Sequence, residues 1–89
     1  FLGMMGHSVL LIDKAKFPRD KTCGDAISGS LRTQEALNLT PEIKKNQHAE
    51  IKRAVFWAPN GKILDIDFKG IGYVCKRYIY DNIIFNKAK

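Results

Sequence analysis

Asp13 closes a four-residue apolar run, Val9-Leu10-Leu11-Ile12, and the loop behind it gathers Arg19, Lys21, Cys23, Gly24 and Asp25. These residue types suit a nucleotide. A carboxylate at the carboxyl end of a buried strand can accept hydrogen bonds from two ribose hydroxyls. Cationic side chains and free backbone N–H groups suit phosphate, so Arg19 could reach a phosphate or ribose. Gly24 has no Cβ and lets backbone approach a flat ring closely. Cys23, near Lys21 and ahead of an expected helix start, has a favoured thiolate; it also reads as a small packed residue. Residue types alone describe, equally, a charged surface loop ahead of a capped helix. His7 and His48 have no partner at catalytic spacing.

The elements that must position these groups follow from pattern. Phe1 to Gly6 reads as the last turn of a helix, with Gly6 as its left-handed cap. Val9 to Ile12 reads as a strand buried on both faces, as in a parallel sheet. Residues 14 to 24 read as a loop that holds Pro18. Asp25 is the expected N-cap of a helix from Ala26 to Leu37, with Ile27 and Leu31 on its apolar face. Thr40-Pro41-Glu42 suggests a second, short helix with Thr40 as cap. From Glu50 the texture turns to strands. Ile51 to Trp57 and Ile63 to Phe68 flank a Pro59-Asn60-Gly61-Lys62 turn, which predicts an antiparallel hairpin. A bend at Gly70 and Gly72 and a third strand, Tyr73 to Lys76, should follow. Asp81 is placed to cap a final helix, and Arg77 lies one helical turn before it. Phe56, Trp57, Phe68 and Tyr73 read first as core.

Composition narrows the class. Hydrophobic residues at 45% and charged residues at 27% match an ordinary globular chain, which excludes a disordered tail. The net charge of +6 fits a lysine-rich surface or an anionic partner. Cys23 and Cys75 form no metal spacing. Two lone thiols suit a reducing compartment. No run approaches the ~18 apolar residues of a membrane helix.

The order strand, acid, then Phe17-Pro18-Arg19-Asp20-Lys21-x-Cys23-Gly24-Asp25 resembles the geranylgeranyl reductase-like branch of the FAD-dependent oxidoreductases, within the flavin monooxygenase-like superfamily. Tyr73 to Ile84, with Arg77 and a Tyr80-Asp81 pair opening a helix, is similar to a second segment of that superfamily. Where many family members carry further glycines after Cys-Gly, this chain reads Asp25-Ala26. The resemblance implies an α/β fold (α+β for the segment alone): a partial Rossmann-like βαβ unit followed by a β-hairpin layer of a substrate domain. It divides the chain into 1–48 on the FAD side, 49–77 on the substrate side and 78–89 in a returning helix. It implies FAD as cofactor, with Asp13 on the adenosine ribose, Arg19 toward phosphate or ribose, and Cys23, Gly24, Asp25 and Ala26 along the flavin ring.

The implied reaction is reduction of prenyl double bonds, with NAD(P)H or ferredoxin as electron donor. The alternative within the same fold is hydroxylation of an aromatic substrate by a flavin monooxygenase. The partner is an apolar prenyl or aromatic small molecule, and the location cytoplasmic, reaching the inner membrane surface through peripheral contact with that substrate. The phosphate loop of such a unit lies about 20 residues before the acid. Only twelve residues precede Asp13, so the chain is expected to be an internal segment that binds FAD weakly or not at all by itself. A different reading, a nucleic-acid surface of basic and aromatic residues on strands, lacks a recognition motif and is interrupted by Asp65 and Asp67.

Overall fold

The computed structural model describes residues 1–27 and 32–89. It is a small α+β fold: a three-stranded antiparallel sheet with short helices. In chain order these are β1 (Ala26–Ile27), α1 (Arg32–Ala36), α2 (Thr40–Lys44), β2 (Ala49–Trp57), β3 (Ile63–Val74) and α3 (Arg77–Ala88). The sheet order is β1-β3-β2.

The hairpin forms where its turn chemistry places it. Phe56 pairs with Leu64 and Trp57 with Ile63, and Ala58 N–H donates to the Lys62 carbonyl at 2.8 Å. Gly61 has φ of 80°, a left-handed angle that a Cβ would strain. The expected bend at Gly70 and Gly72 is instead a continuation. β3 runs unbroken to Val74, and its pairing with β2 shifts register between Ile51 and Arg53. Gly72 has a packing reason: a Cβ there would lie 3.4 Å from the Ile27 carbonyl, so its absence lets β1 approach.

The third strand is therefore β1, not Tyr73 to Lys76. Ala26 pairs with Val74 and Ile27 with Tyr73. This overturns the helix expected from Ala26 to Leu37. Ala26 and Ile27 are claimed by the open edge of β3, and among the described residues of that span helix occupies Arg32–Ala36. Leu31, expected on that helix's apolar face, lies outside the described residues. Pro41 does open a short helix, α2, but Leu39 rather than Thr40 occupies the cap position. Gly6 caps a 3-10 turn, Gly3–Met5, through its N–H to the Gly3 carbonyl at 3.0 Å.

The buried core consists of Ile27, Leu39, Ile43, Tyr73 and Cys75. Ile79, Tyr80, Ile83 and Ile84 of α3 pack against it, so the helix is held on the β1–β3 end of the sheet. Cys75 is a core thiol, as its place in the strand pattern suggested. Phe56, Trp57 and Phe68, read as core, are exposed, because the outer half of the hairpin has nothing packed on it among the described residues.

Val9 to Ile12 is not a strand. The run lies outside the sheet, and Leu10 is 85% exposed. A doubly buried strand needs neighbours on both edges and both faces. The described residues supply none, and no parallel pairing or βαβ unit is present among them.

Candidate functional site

The loop from Asp13 to Asp25 is tied down by polar contacts to the start of α3. Asp25 does not cap a helix of its own. Its backbone adopts φ of 58°, its carbonyl accepts the Cys75 N–H at 2.9 Å, and its Oδ1 accepts the Arg77 N–H at 3.2 Å. The capping carboxylate of α3 thus comes from fifty-two residues away, and satisfies one of the helix's free N–H groups. Asp81, expected at the cap, sits inside the first turns instead.

There Asp81 joins two cations. Arg77 Nε donates to Asp81 Oδ1 at 2.6 Å and Nη2 to Oδ2 at 2.9 Å, the fork geometry of a bidentate pair. Arg19 Nη1 approaches Asp81 Oδ2 from the loop at 2.9 Å. Nη1 is buried, so this approach brings a second positive charge onto the carboxylate away from water. Burial alone would raise the Asp81 carboxyl, but the Arg77 hydrogen bond and the charges of Arg77 and Arg19 outweigh it and hold it below the usual range.

Cys23 is exposed beside this network. The Asp25 backbone N–H, and then the Arg77 guanidinium, hold its thiol below the ordinary value. The thiolate is favoured as the sequence suggested, but by the Asp25 backbone and then the Arg77 guanidinium, and not by a helix at Ala26. Burial pushes the Cys75 thiol the other way.

Beside the network lies a cleft of about 380 Å³ between the loop and α3, lined by Asp13, Arg19, Arg77 and Asp81 over an apolar floor that includes Leu11 and Phe85. Phe17 stacks on Phe85 with centroids 4.7 Å apart, and the Arg19 guanidinium lies 5.1 Å over the Phe17 ring. Asp13 Oδ1 accepts the Ala15 N–H at 2.7 Å, which fixes its carboxylate in a turn.

The sequence-selected residues therefore divide. Asp13 and Arg19 line the cleft; Cys23 and Asp25 meet Arg77 at its end; Gly24 has open space where a Cβ would stand; Ala26 is in β1, paired with Val74. Asp25 is engaged in capping, which leaves it a positioning role and not a place along a ring. Sequence reasoning treated Arg77 and Asp81 as a structural pair. Their spacing showed the pair, but nothing local signalled that Arg19 would join it. Phe17 and Phe85 carried no signal.

The cleft thus presents a cation, a fixed carboxylate and a flat aromatic wall. The whole of FAD, two halves joined by a pyrophosphate, exceeds this volume, and no Gly-x-Gly-x-x-Gly loop occurs within the chain. Among the described residues no cluster of His, Cys, Asp or Glu is arranged for a metal, and no helix is long and apolar enough to cross a membrane. Comparison of the chain with protein-family models, with curated proteins and with solved structures finds no match.

Proposed function

We propose that this chain is part of an FAD-dependent oxidoreductase of the geranylgeranyl reductase-like type, acting on prenyl double bonds. The observation that supports the reading most is the convergence of Asp13 and Arg19 on one cleft, with Cys23 against Arg77 of its lining. Asp13 accepts ribose hydroxyls, Arg19 offers its positive charge to a phosphate, and Gly24 leaves room for a ring edge. The flavin, when bound, supplies the electron transfer. Arg77 and Asp81 hold the loop against α3 and keep water from its inner side. The phosphate loop, the substrate cavity and the electron donor site belong, on this reading, to the rest of a longer protein.

The test is a titration of the chain with FAD, followed residue by residue by NMR. Weak binding is expected up to about 1 mM, which corresponds to ~4 kcal/mol of binding free energy. Shifts should concentrate on Asp13, Arg19 and Arg77. Asp13→Ala should weaken binding about tenfold, the loss of one hydrogen bond to a charged acceptor. Shifts that the variant leaves unchanged would count against the site.

A further inference from the structure

We propose that the cleft between α2 and α3 binds a short, uncharged peptide segment in extended form, read through its backbone by Asn82 and Asn86. The proposal is independent of the flavin reading, because this cleft shares no lining residue with the one that holds Asp13 and Arg19.

Asn82 and Asn86 are four apart on α3, so they stand one turn apart on one side of the helix. Asparagine is a weak helix former, and a merely solvated face favours Ala, Lys or Glu. Both asparagines line a cleft of about 500 Å³ whose other wall is α2, at Glu42, and the Asn46 that follows it. That volume is in the range of small-ligand sites. Its apolar part is Ile79 and Ile83, which also pack against the core. On the α2 side the polar groups are engaged: Asn46 Nδ2 donates to the Glu42 carbonyl at 2.8 Å, and Lys45 pairs with the Glu42 carboxylate at 2.9 Å. The carboxamides of Asn82 and Asn86 have no such partner among the described residues.

A carboxamide offers a donor and an acceptor side by side, the complement of one peptide residue's N–H and C=O. In an extended chain those two groups point to one edge, and those of the next residue to the other. The same edge therefore repeats every two residues, about 6.6–6.8 Å. Four residues of α3 rise about 6 Å. The two repeats differ by less than about 1 Å, which the broad terminal torsion of asparagine absorbs. From Tyr78 to Asn86 the lining runs about 12 Å along α3, room for about four extended residues. One alternate set of peptide side chains then faces Ile79 and Ile83 and is aliphatic. The charges of the lining choose an uncharged occupant. Glu42 and Lys87 balance, and no other charged residue lines the cleft, so it lacks the cationic excess that a phosphate backbone needs.

The test is a titration of the chain with acetyl-Ala-Val-Ala-Val-amide, followed by NMR through the side-chain NH2 signals of Asn82 and Asn86. Millimolar binding is expected, with those signals among the most shifted. Asn82→Ala should weaken binding by at least about tenfold, the loss of a pair of hydrogen bonds, and Asn82→Ala with Asn86→Ala should abolish it. Neither side chain is hydrogen-bonded within the described chain, so the fold should survive, and circular dichroism checks this. Two N-methylated peptides supply the decisive arm, one methylated at its first and third residues and the other at its second and fourth. Only one of them should lose binding, since a single edge faces α3. Equal binding by the two, no shift at either asparagine, or undiminished binding by the double variant would overturn the proposal. Shifts of the same size from methyl glucoside would overturn it in favour of a general polyol site.

Discussion

Asp81→Ala should lower the unfolding free energy by about 2–3 kcal/mol, somewhat less than the ~3–5 of a fully buried ion pair. The Asp81 side chain is only 8% exposed, while Arg19 and Arg77 are 25% and 26% exposed. Without the carboxylate, two guanidinium groups face each other with no anion between them. Their partial access to water keeps the cost below the buried limit. The loss is large for a domain of this length, whose total stability is on the order of 5–10 kcal/mol. Urea denaturation measures it; a change under about 0.5 kcal/mol, the level of an ordinary surface substitution, would mean that the network does not hold the loop to α3.

The same residue sets a pH dependence. The folded-state Asp81 carboxyl titrates below its unfolded value, which is about 3.9. Its pairing therefore stabilises fully above about pH 4, and the contribution is lost as pH falls through the folded-state value. Asp81→Asn keeps the shape without the charge, so its stability deficit against the natural chain should be constant near neutrality and shrink in acid. A deficit that stays constant into acid would assign the effect to shape alone.

The second large effect separates two apolar segments. Leu39 is fully buried, whereas Leu10 is 85% exposed. Leu39→Ala should cost about 3 kcal/mol, within the range for core truncations, because it opens a cavity beside Ile43 and Ile27. Leu10→Ala should change stability by less than about 0.5 kcal/mol. Thermal or urea melts of the two variants decide the matter. Comparable losses from both would restore Val9 to Ile12 as a buried strand and overturn the fold described above.

That contrast shows what the sequence could and could not carry. The hairpin was legible because its turn residues act locally: Gly61 needs a left-handed angle, and alternation on each side sets the strands. Pro41 marked α2 for the same local reason. The Arg77–Asp81 pair was legible from one-turn spacing. Val9 to Ile12 misled because an apolar run signals a buried strand only where neighbours exist to bury it. Ala26 and Ile27 misled in the opposite way: a good local cap at Asp25 argued for helix, and the edge of β3 took the residues instead. Asp25 as the cap of α3 and Arg19 as the second cation on Asp81 are long-range contacts with no local trace. Of the residues chosen for cofactor chemistry, Asp13 and Arg19 line one cleft and Cys23 and Asp25 meet Arg77 of its lining, placed by elements other than those expected.

The central claim is that these residues are the acid-and-loop half of a flavin-binding unit. The most direct test is the coding sequence upstream of the Phe1 codon, over the roughly 30 codons in which the phosphate loop of such a unit must fall. The account predicts an apolar strand followed by Gly-x-Gly-x-x-Gly in frame with Asp13. A start codon beside Phe1, with no such loop before it, would contradict it and leave the cleft without a pyrophosphate site.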